Sequence, residues 1–569
     1  MYFIINSIFF IKIKILFGIL KNSLYICTVK RSKNKKKLKN MNEFVKVNTM
    51  SEGTAMTENG AVSYATIGSA LLDQFGKASA YRGRDINVVW NEQQILWAEN
   101  PEFALKFPFY LRMITRQSNI LFKNKTEKVQ RGAGVKDEAF KRLLWIAKYH
   151  PTEFYRNLWL LPVVGCWKDL WYLLAMPETE YLNKEAFFAI IAEGVSDKAH
   201  KDLVKKYMPR IRSNNKCRTE WAKKTNELAK SFAKMAGWTY DEYRKYKSTG
   251  KAHEFQTIIC KGLYKNINWN LIPGKALLNL ISGNFLKNHN LEETYIKWIE
   301  SQPVAKFNGY PFELGRKLGK NMRHLSLAEK ITIDKQFENL VATGMKDNGA
   351  LQGNILCALD TSGSMTWDGL DKAGTTAYDV CVSLGIYFSQ MNTGDFHNVV
   401  AMFDNSSRLK TLKGKTFSEK WYEIQTSSIA WGGTNYQSLI DLIVETRIEN
   451  PNMDIKDFPT TLLVISDMQF DNCGRNSNYQ ETIEKLSKVF PKEYVDNFKI
   501  VWWFCSNRPT SDFPSTMEHG GTYMFSGYDG SILSFLLGGD NTQKDTKTPP
   551  TMQEIIEEAF NQEVLSLIN

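Results

Sequence analysis

Four short apolar runs, Ile355–Leu359, Asn398–Phe403, Leu462–Ile465 and Lys499–Phe504, constrain the fold of this chain more than any other feature. Each has the length of a strand and is apolar at consecutive rather than alternate positions, so a strand made from it must be buried on both faces. Stretches of helical spacing separate them, among them Thr375–Met391 and Tyr436–Glu449. Buried strands alternating with helices predict a doubly wound α/β domain, a parallel sheet covered on both sides. Ligands of such sheets collect at the carboxyl ends of the strands, where Asp360 and Asp467 lie. The glycine-rich stretch from Gly520 to Gly527 reads as a final edge strand turning into a helix, residues 541–550 as a polar linker, and Met552–Ile568 as a closing amphipathic helix. Asp404, after Met402-Phe403, reads as a turn residue, and Asp471 either caps the next helix or stands behind the ligand loop.

The loop after the first run is Asp360-Thr361-Ser362-Gly363-Ser364-Met365. It points one carboxylate and two hydroxyls at a common spot, and these hard oxygen donors suit Mg²⁺ or Mn²⁺ rather than zinc. The same loop without a metal would simply cap the following helix. The spelling Asp-x-Ser-x-Ser-Met resembles the metal-ion-dependent adhesion site of von Willebrand factor A domains. That site needs two further loops, and both have counterparts in the right order. Trp431-Gly432-Gly433-Thr434-Asn435 places Thr434 at the family's metal-site threonine, and the run Thr461–Asp467 places Asp467 at its last acid. The resemblance implies that Ser362, Ser364 and Thr434 offer oxygens to the ion while Asp360 and Asp467 bind it directly or through water. It also implies an open position for a partner's carboxylate, because hydroxyls leave the ion electrophilic. One departure stands out: Met468 occupies a place where many of these domains carry Gly.

Residues 53–345 read differently. Apolar residues recur there at helical spacing, as in Phe103, Leu105, Phe107, Tyr110 and Leu111 or Phe140, Leu143, Leu144 and Ile146, with no alternation that predicts strands. Paired helices with short connections predict a solenoid or bundle. The landmarks Ala104-Leu105-Lys106, Tyr110-Leu111-Arg112, Gly165-Cys166-Trp167-Lys168-Asp169-Leu170-Trp171, Tyr243-Arg244-Lys245 and Asn268-Trp269-Asn270-Leu271-Ile272-Pro273 resemble a family of viruses, phages, plants and fungi known only as a domain of unknown function. Its members place a helical region before a von Willebrand A domain. The Ro ribonucleoproteins share that layout, and their helical TROVE domain binds small noncoding and misfolded RNAs. The expectation is therefore a multi-domain chain: an all-α helical-repeat, TROVE- or HEAT-like domain over 53–345, a von Willebrand A-like Rossmann-type domain over 346–540, and a linker and C-terminal helix over 541–569.

Charge divides the same way. Residues 41–350 sum to +15 and residues 351–569 to −12, with +13 concentrated in residues 201–290. A basic patch of that density attracts a phosphate backbone. Arg210, Arg212, Lys216, Arg218, Lys223 and Lys224 are its centre and the expected contacts to RNA phosphates, without base specificity. Arg112, Arg116, Lys123, Lys125, Lys128 and Arg131 read as a solvated face, and Trp159, Trp167 and Trp171 as anchors between helices rather than a base-stacking platform.

Within residues 1–52, the first 40 carry ten Lys or Arg and no acid. Lys12, Lys14 and Lys21 interrupt their apolar stretch, so a membrane span fits poorly. Translation from an early start with Met41, Met50 or Met56 as initiator, a membrane anchor, and a basic tail remain open readings. Eight cysteines without a Cys-x-x-Cys pair suit free thiols in a reducing, cytoplasmic setting. No Cys/His or Ser/His/Asp set can be assembled from spacing, the histidines lack partners at metal-ligand spacing, and Pro273-Gly274-Lys275 lacks the rest of a phosphate loop. The expectation is a non-enzymatic, Mg²⁺-dependent binding protein that holds small structured RNA, with a protein carboxylate as a second ligand class. The alternative is a metal-dependent protein–protein scaffold without RNA.

Overall fold

The computed structural model describes residues 54–569 apart from 114–116, 120–125, 129–131, 178, 214–215, 249–253, 322–323, 367–368, 372, 428–431, 508–512, 531–532 and 534–549. Residues 1–52, all but the last residue of the 541–550 linker, and Trp431 lie outside the described residues.

A six-stranded sheet organises the C-terminal half: β1 (Ile355–Asp360), β2 (Val399–Phe403), β3 (Ser407–Thr411), β4 (Thr461–Ser466), β5 (Lys499–Phe504) and β6 (Thr522–Ser526). Their order across the sheet is β6-β5-β4-β1-β2-β3. All neighbours are parallel except β2 and β3. Every residue of β1, β2 and β4 is buried, as strands covered on both faces must be. β3, Ser-Arg-Leu-Lys-Thr, was not foreseen: it is a half-exposed hairpin return whose charged residues keep the sheet edge from pairing further. The strand order reverses between β1 and β4, and the crevice outside their carboxyl ends is where this architecture binds ligands.

The helix Ala377–Met391 lies beneath β1, started by a capping box between Thr376 and Asp379. It approaches so closely that a Cβ on Gly385 would stand 2.2 Å from Leu359 Cδ2. The helix Pro311–Asn321 packs on its other side through small residues: a Cβ on Gly315 would lie 2.1 Å from Ser383 Oγ, and one on Gly319 2.4 Å from Asp379 Oδ1. Here the helical half and the sheet half meet helix to helix.

Residues 54–348 are mainly helical, in agreement with the spacing of their apolar residues. Two short antiparallel pairs correct the expectation of no strands there: Thr54–Met56 with Val62–Tyr64, and Gln117–Asn119 with Thr126–Lys128. Three-residue strands have no readable alternation, and the first pair is held by tertiary bridges, Gly60 with Asp471, Val62 with Ser477 and Tyr64 with Phe513. Both ends of the helical half rest on the sheet half. Ser79 N donates to Ser526 Oγ at 3.1 Å, and Phe337 in the helix Leu327–Asn348 stacks on Phe417 with centroids 3.7 Å apart. The predicted closing helix is two helices, Met552–Phe560 and Glu563–Ser566, and Phe560 sits among Phe75, Phe103, Phe107 and Tyr110. One continuous apolar core therefore runs through both halves. No helix of the described residues is long and apolar enough to cross a membrane.

Candidate metal centre and basic face

Three loops meet at the crevice between β1 and β4. In the first, Asp360 ends β1 fully buried; its Oδ1 accepts from Ser362 N at 2.9 Å, and Ser362 Oγ lies 3.1 Å from Ser364 Oγ. The second carries buried Thr434, and its Gly432 carbonyl accepts from Gly363 N of the first at 3.3 Å. The third follows β4: Ser466 Oγ donates to Asp360 Oδ2 at 2.5 Å, and Asp467 Oδ1 accepts from Gln469 N at 3.3 Å. Thr434 N donates to Asp471 Oδ2 and Asp471 N to the Thr434 carbonyl, both at 2.9 Å. Each loop is thus hydrogen-bonded to the other two.

Burial first, and then the charge of Asp467, push the Asp360 carboxyl up to about 7 against the opposing hydrogen bonds from Ser362 and Ser466. The groups acting most strongly on Asp360 include a second carboxylate and no Lys or Arg. Two acids drawn together in a buried, hydroxyl-rich crevice are a donor set that fits a hard divalent ion. Among the described residues no three His, Cys, Asp or Glu side chains form a group that could hold a metal ion. The five expected ligands contain only two acids, so the set depends on Ser362, Ser364 and Thr434 for the rest of its oxygens.

The surroundings of the loops were only partly foreseen. Asp404 is not a simple turn residue: it is buried, its carboxylate accepts from Thr361 Oγ1 at 3.3 Å and Arg408 Nη2 at 3.1 Å, and its carbonyl takes Asn435 N at 2.8 Å. It ties the first loop to the second. Asp471 braces Thr434 and caps no helix, since Ser477 caps the next one, Asn478–Val489. Ser466 lies within the run Thr461–Asp467, and its position before Asp467 at a strand end is the one sequence signal of its role. Met468 takes a left-handed backbone, φ 62°, while its side chain is buried. This is the conformation that favours glycine, which gives the departure at this position a physical meaning. An unforeseen segment also touches the third loop: Glu58 N donates to Gln469 Oε1 and Asn59 Nδ2 to the Gln469 carbonyl, both at 2.7 Å.

On the helical half, Arg210, Arg212, Lys216, Arg218 and Lys223 are exposed and Lys224 is half-buried. Lys223 pairs with Glu220 at 2.6 Å, and Lys224 Nζ donates to the Met176 carbonyl at 3.1 Å, so these two are partly engaged within the chain. Arg210 and Arg212 line one cleft with Trp171, Tyr172, Tyr207 and Trp221. Trp167 and Trp171 are buried anchors, and Trp159 is half-buried. Arg112 overturns the reading of a solvated face: it is buried, and its Nη2 lies 2.7 Å from Asp169 Oδ2, which also accepts from Cys166 N at 2.9 Å. Arg116, Lys123, Lys125 and Arg131, and the side chain of Lys128, lie outside the described residues.

Residues 57–258 match the family described as Domain of unknown function (DUF2828), and residues 354–565 match Domain of unknown function (DUF7788). The chain is also 22% identical over 519 residues, 85% of each protein, to Uncharacterized protein L728 of Acanthamoeba polyphaga mimivirus. These similarities support kinship with uncharacterised proteins of domain-of-unknown-function type and assign no activity.

Proposed function

We propose that this protein is a non-enzymatic, Mg²⁺-dependent binding protein of Ro-like layout. A von Willebrand A-type adhesion site formed by Asp360, Ser362, Ser364, Thr434 and Asp467 would hold the ion, and the basic helical half would hold RNA. The mutual hydrogen bonding of the three loops at the sheet's switch point carries the reading, supported by a strand order that runs 3-2-1-4-5-6. When bound, Mg²⁺ would supply a Lewis-acidic position open to a partner carboxylate. The chain's own residues do the rest: Ser466 orients Asp360, Asp471 fixes the backbone of Thr434, and Asp404 locks the first loop to the second. A reducing, cytoplasmic setting suits the cysteines, since every described one is a free thiol.

Two measurements test this. Mg²⁺ should raise the thermal midpoint of the intact chain progressively with its concentration and leave that of Asp360→Ala unmoved. Small structured RNA should be retained in an electrophoretic shift, with binding weakened at least tenfold by neutralising Arg210, Arg212, Lys223 and Lys224 together. An unmoved midpoint removes the metal centre. Absence of RNA retention, with chelator-sensitive capture of protein partners, turns the reading toward a protein scaffold.

A further inference from the structure

We propose that the cleft between the helices Lys168–Ala175 and Glu220–Met235 is a stacking site for one unpaired nucleobase of a bound RNA, with neighbouring phosphates on Arg210 and Arg212. It rests on the RNA-binding reading and assigns to it a place and a mode.

The cleft joins two chemistries. Its walls are aromatic: Trp171 is buried behind, Tyr172 and Tyr207 are half-buried, and Trp221 is 39% exposed, an indole whose surface gains by being covered. Tyr172 and Trp221 have centroids 4.8 Å apart with planes at 46°, so the two rings do not stack on each other. At about 240 Å³ the space lies below that of drug-sized sites and suits a single flat ring system.

Its rim is cationic. Lys168, Arg210 and Arg212 are exposed there, and no described carboxylate lies within ion-pair distance of any of them. Arg210 also lines the adjoining cleft with Lys247, whose ammonium donates to the Lys205 carbonyl at 3.0 Å. Burial, and then the charge of Arg210, pushes Lys247 down to about 8. An aromatic pocket without flanking charge would equally take a cationic guest. Three unpaired cations exclude that guest and select a flat ring carrying negative charge, as a nucleotide does.

The test uses the full chain and two fluorescein-labelled probes of equal charge, a ten-residue oligouridylate and an abasic ribose-phosphate chain of the same length, read by anisotropy. The intact protein should prefer the base-bearing probe about tenfold, within the range of one aromatic–base stack. Trp221→Ala should abolish the preference and Trp221→Phe should keep most of it, while Arg210→Glu with Arg212→Glu weakens both probes. Equal binding of the two probes by the intact protein overturns the stacking site and leaves RNA binding standing. Retention of a structured hairpin but neither single-stranded probe also overturns it. If neither the probes nor the hairpin is retained, the RNA reading itself falls.

Discussion

Thr57 Oγ1 donates to the backbone carbonyl of Phe470 at 2.7 Å across 413 residues of chain, and accepts from Ala61 N at 2.9 Å. Through this hydroxyl the first described residues of the helical half brace the loop that carries Asp467. Thr57→Val keeps the shape and leaves two buried backbone groups unsatisfied, so the protein should lose about 1–3 kcal/mol in urea denaturation. An unchanged midpoint would mean that residues 54–64 stand outside the cooperative unit.

Met468 sets two effects against each other. A left-handed backbone costs a non-glycine residue about 1–2 kcal/mol, whereas emptying a buried Met site costs about 2–5 kcal/mol. Packing is the larger, so Met468→Gly should destabilise the chain by about 1–3 kcal/mol despite relieving φ. Thermal denaturation would show the opposite sign if strain dominated.

The Arg112–Asp169 pair is buried on both sides, with Lys136 Nζ a further 3.4 Å from Asp169 Oδ1. Arg112→Ala should cost about 3–5 kcal/mol, because it leaves a buried carboxylate with one partly exposed cation for company. Arg112→Met combined with Asp169→Leu should recover most of that loss. A double variant no better than the single would show that the pair organises the turn at Gly165-Cys166 rather than merely neutralising it.

Asp334, in the helix Leu327–Asn348, accepts from Ser418 N at 2.7 Å and Ser418 Oγ at 2.9 Å at the start of the helix Phe417–Ser427. Burial pushes its carboxyl up to about 6 despite those bonds. The native state then holds this proton more tightly than the unfolded chain does. Its contribution to stability therefore falls as pH rises from about 4 to 6 and stays lower above that, by about 3 kcal/mol in all. Asp334→Asn should remove that slope, so the stability of the variant relative to the parent should climb between pH 4 and 6 and then level. A flat difference across that range would mean that Asp334 titrates normally.

What the sequence by itself determined was local. Apolar runs of strand length, helical spacing and the residues after each run placed β1, β2, β4 and β5, the helix Ala377–Met391 and the loops at Asp360, Thr434 and Asp467, because burial on two faces imposes a pattern on consecutive residues. The opposite charges of the two halves were equally legible, since net charge needs no contacts. Tertiary structure alone decided the rest. Arg112 and Arg210 look alike in the sequence, and only the arrival of Asp169 beside one of them makes it a buried strut while the other stays at a cleft. Asp404 became a tie between loops because Thr361 and Arg408 converge on it, and Ser466 matters because it faces Asp360 from 106 positions away. Such partnerships depend on which side chains meet across the fold, and spacing along a chain carries no record of that.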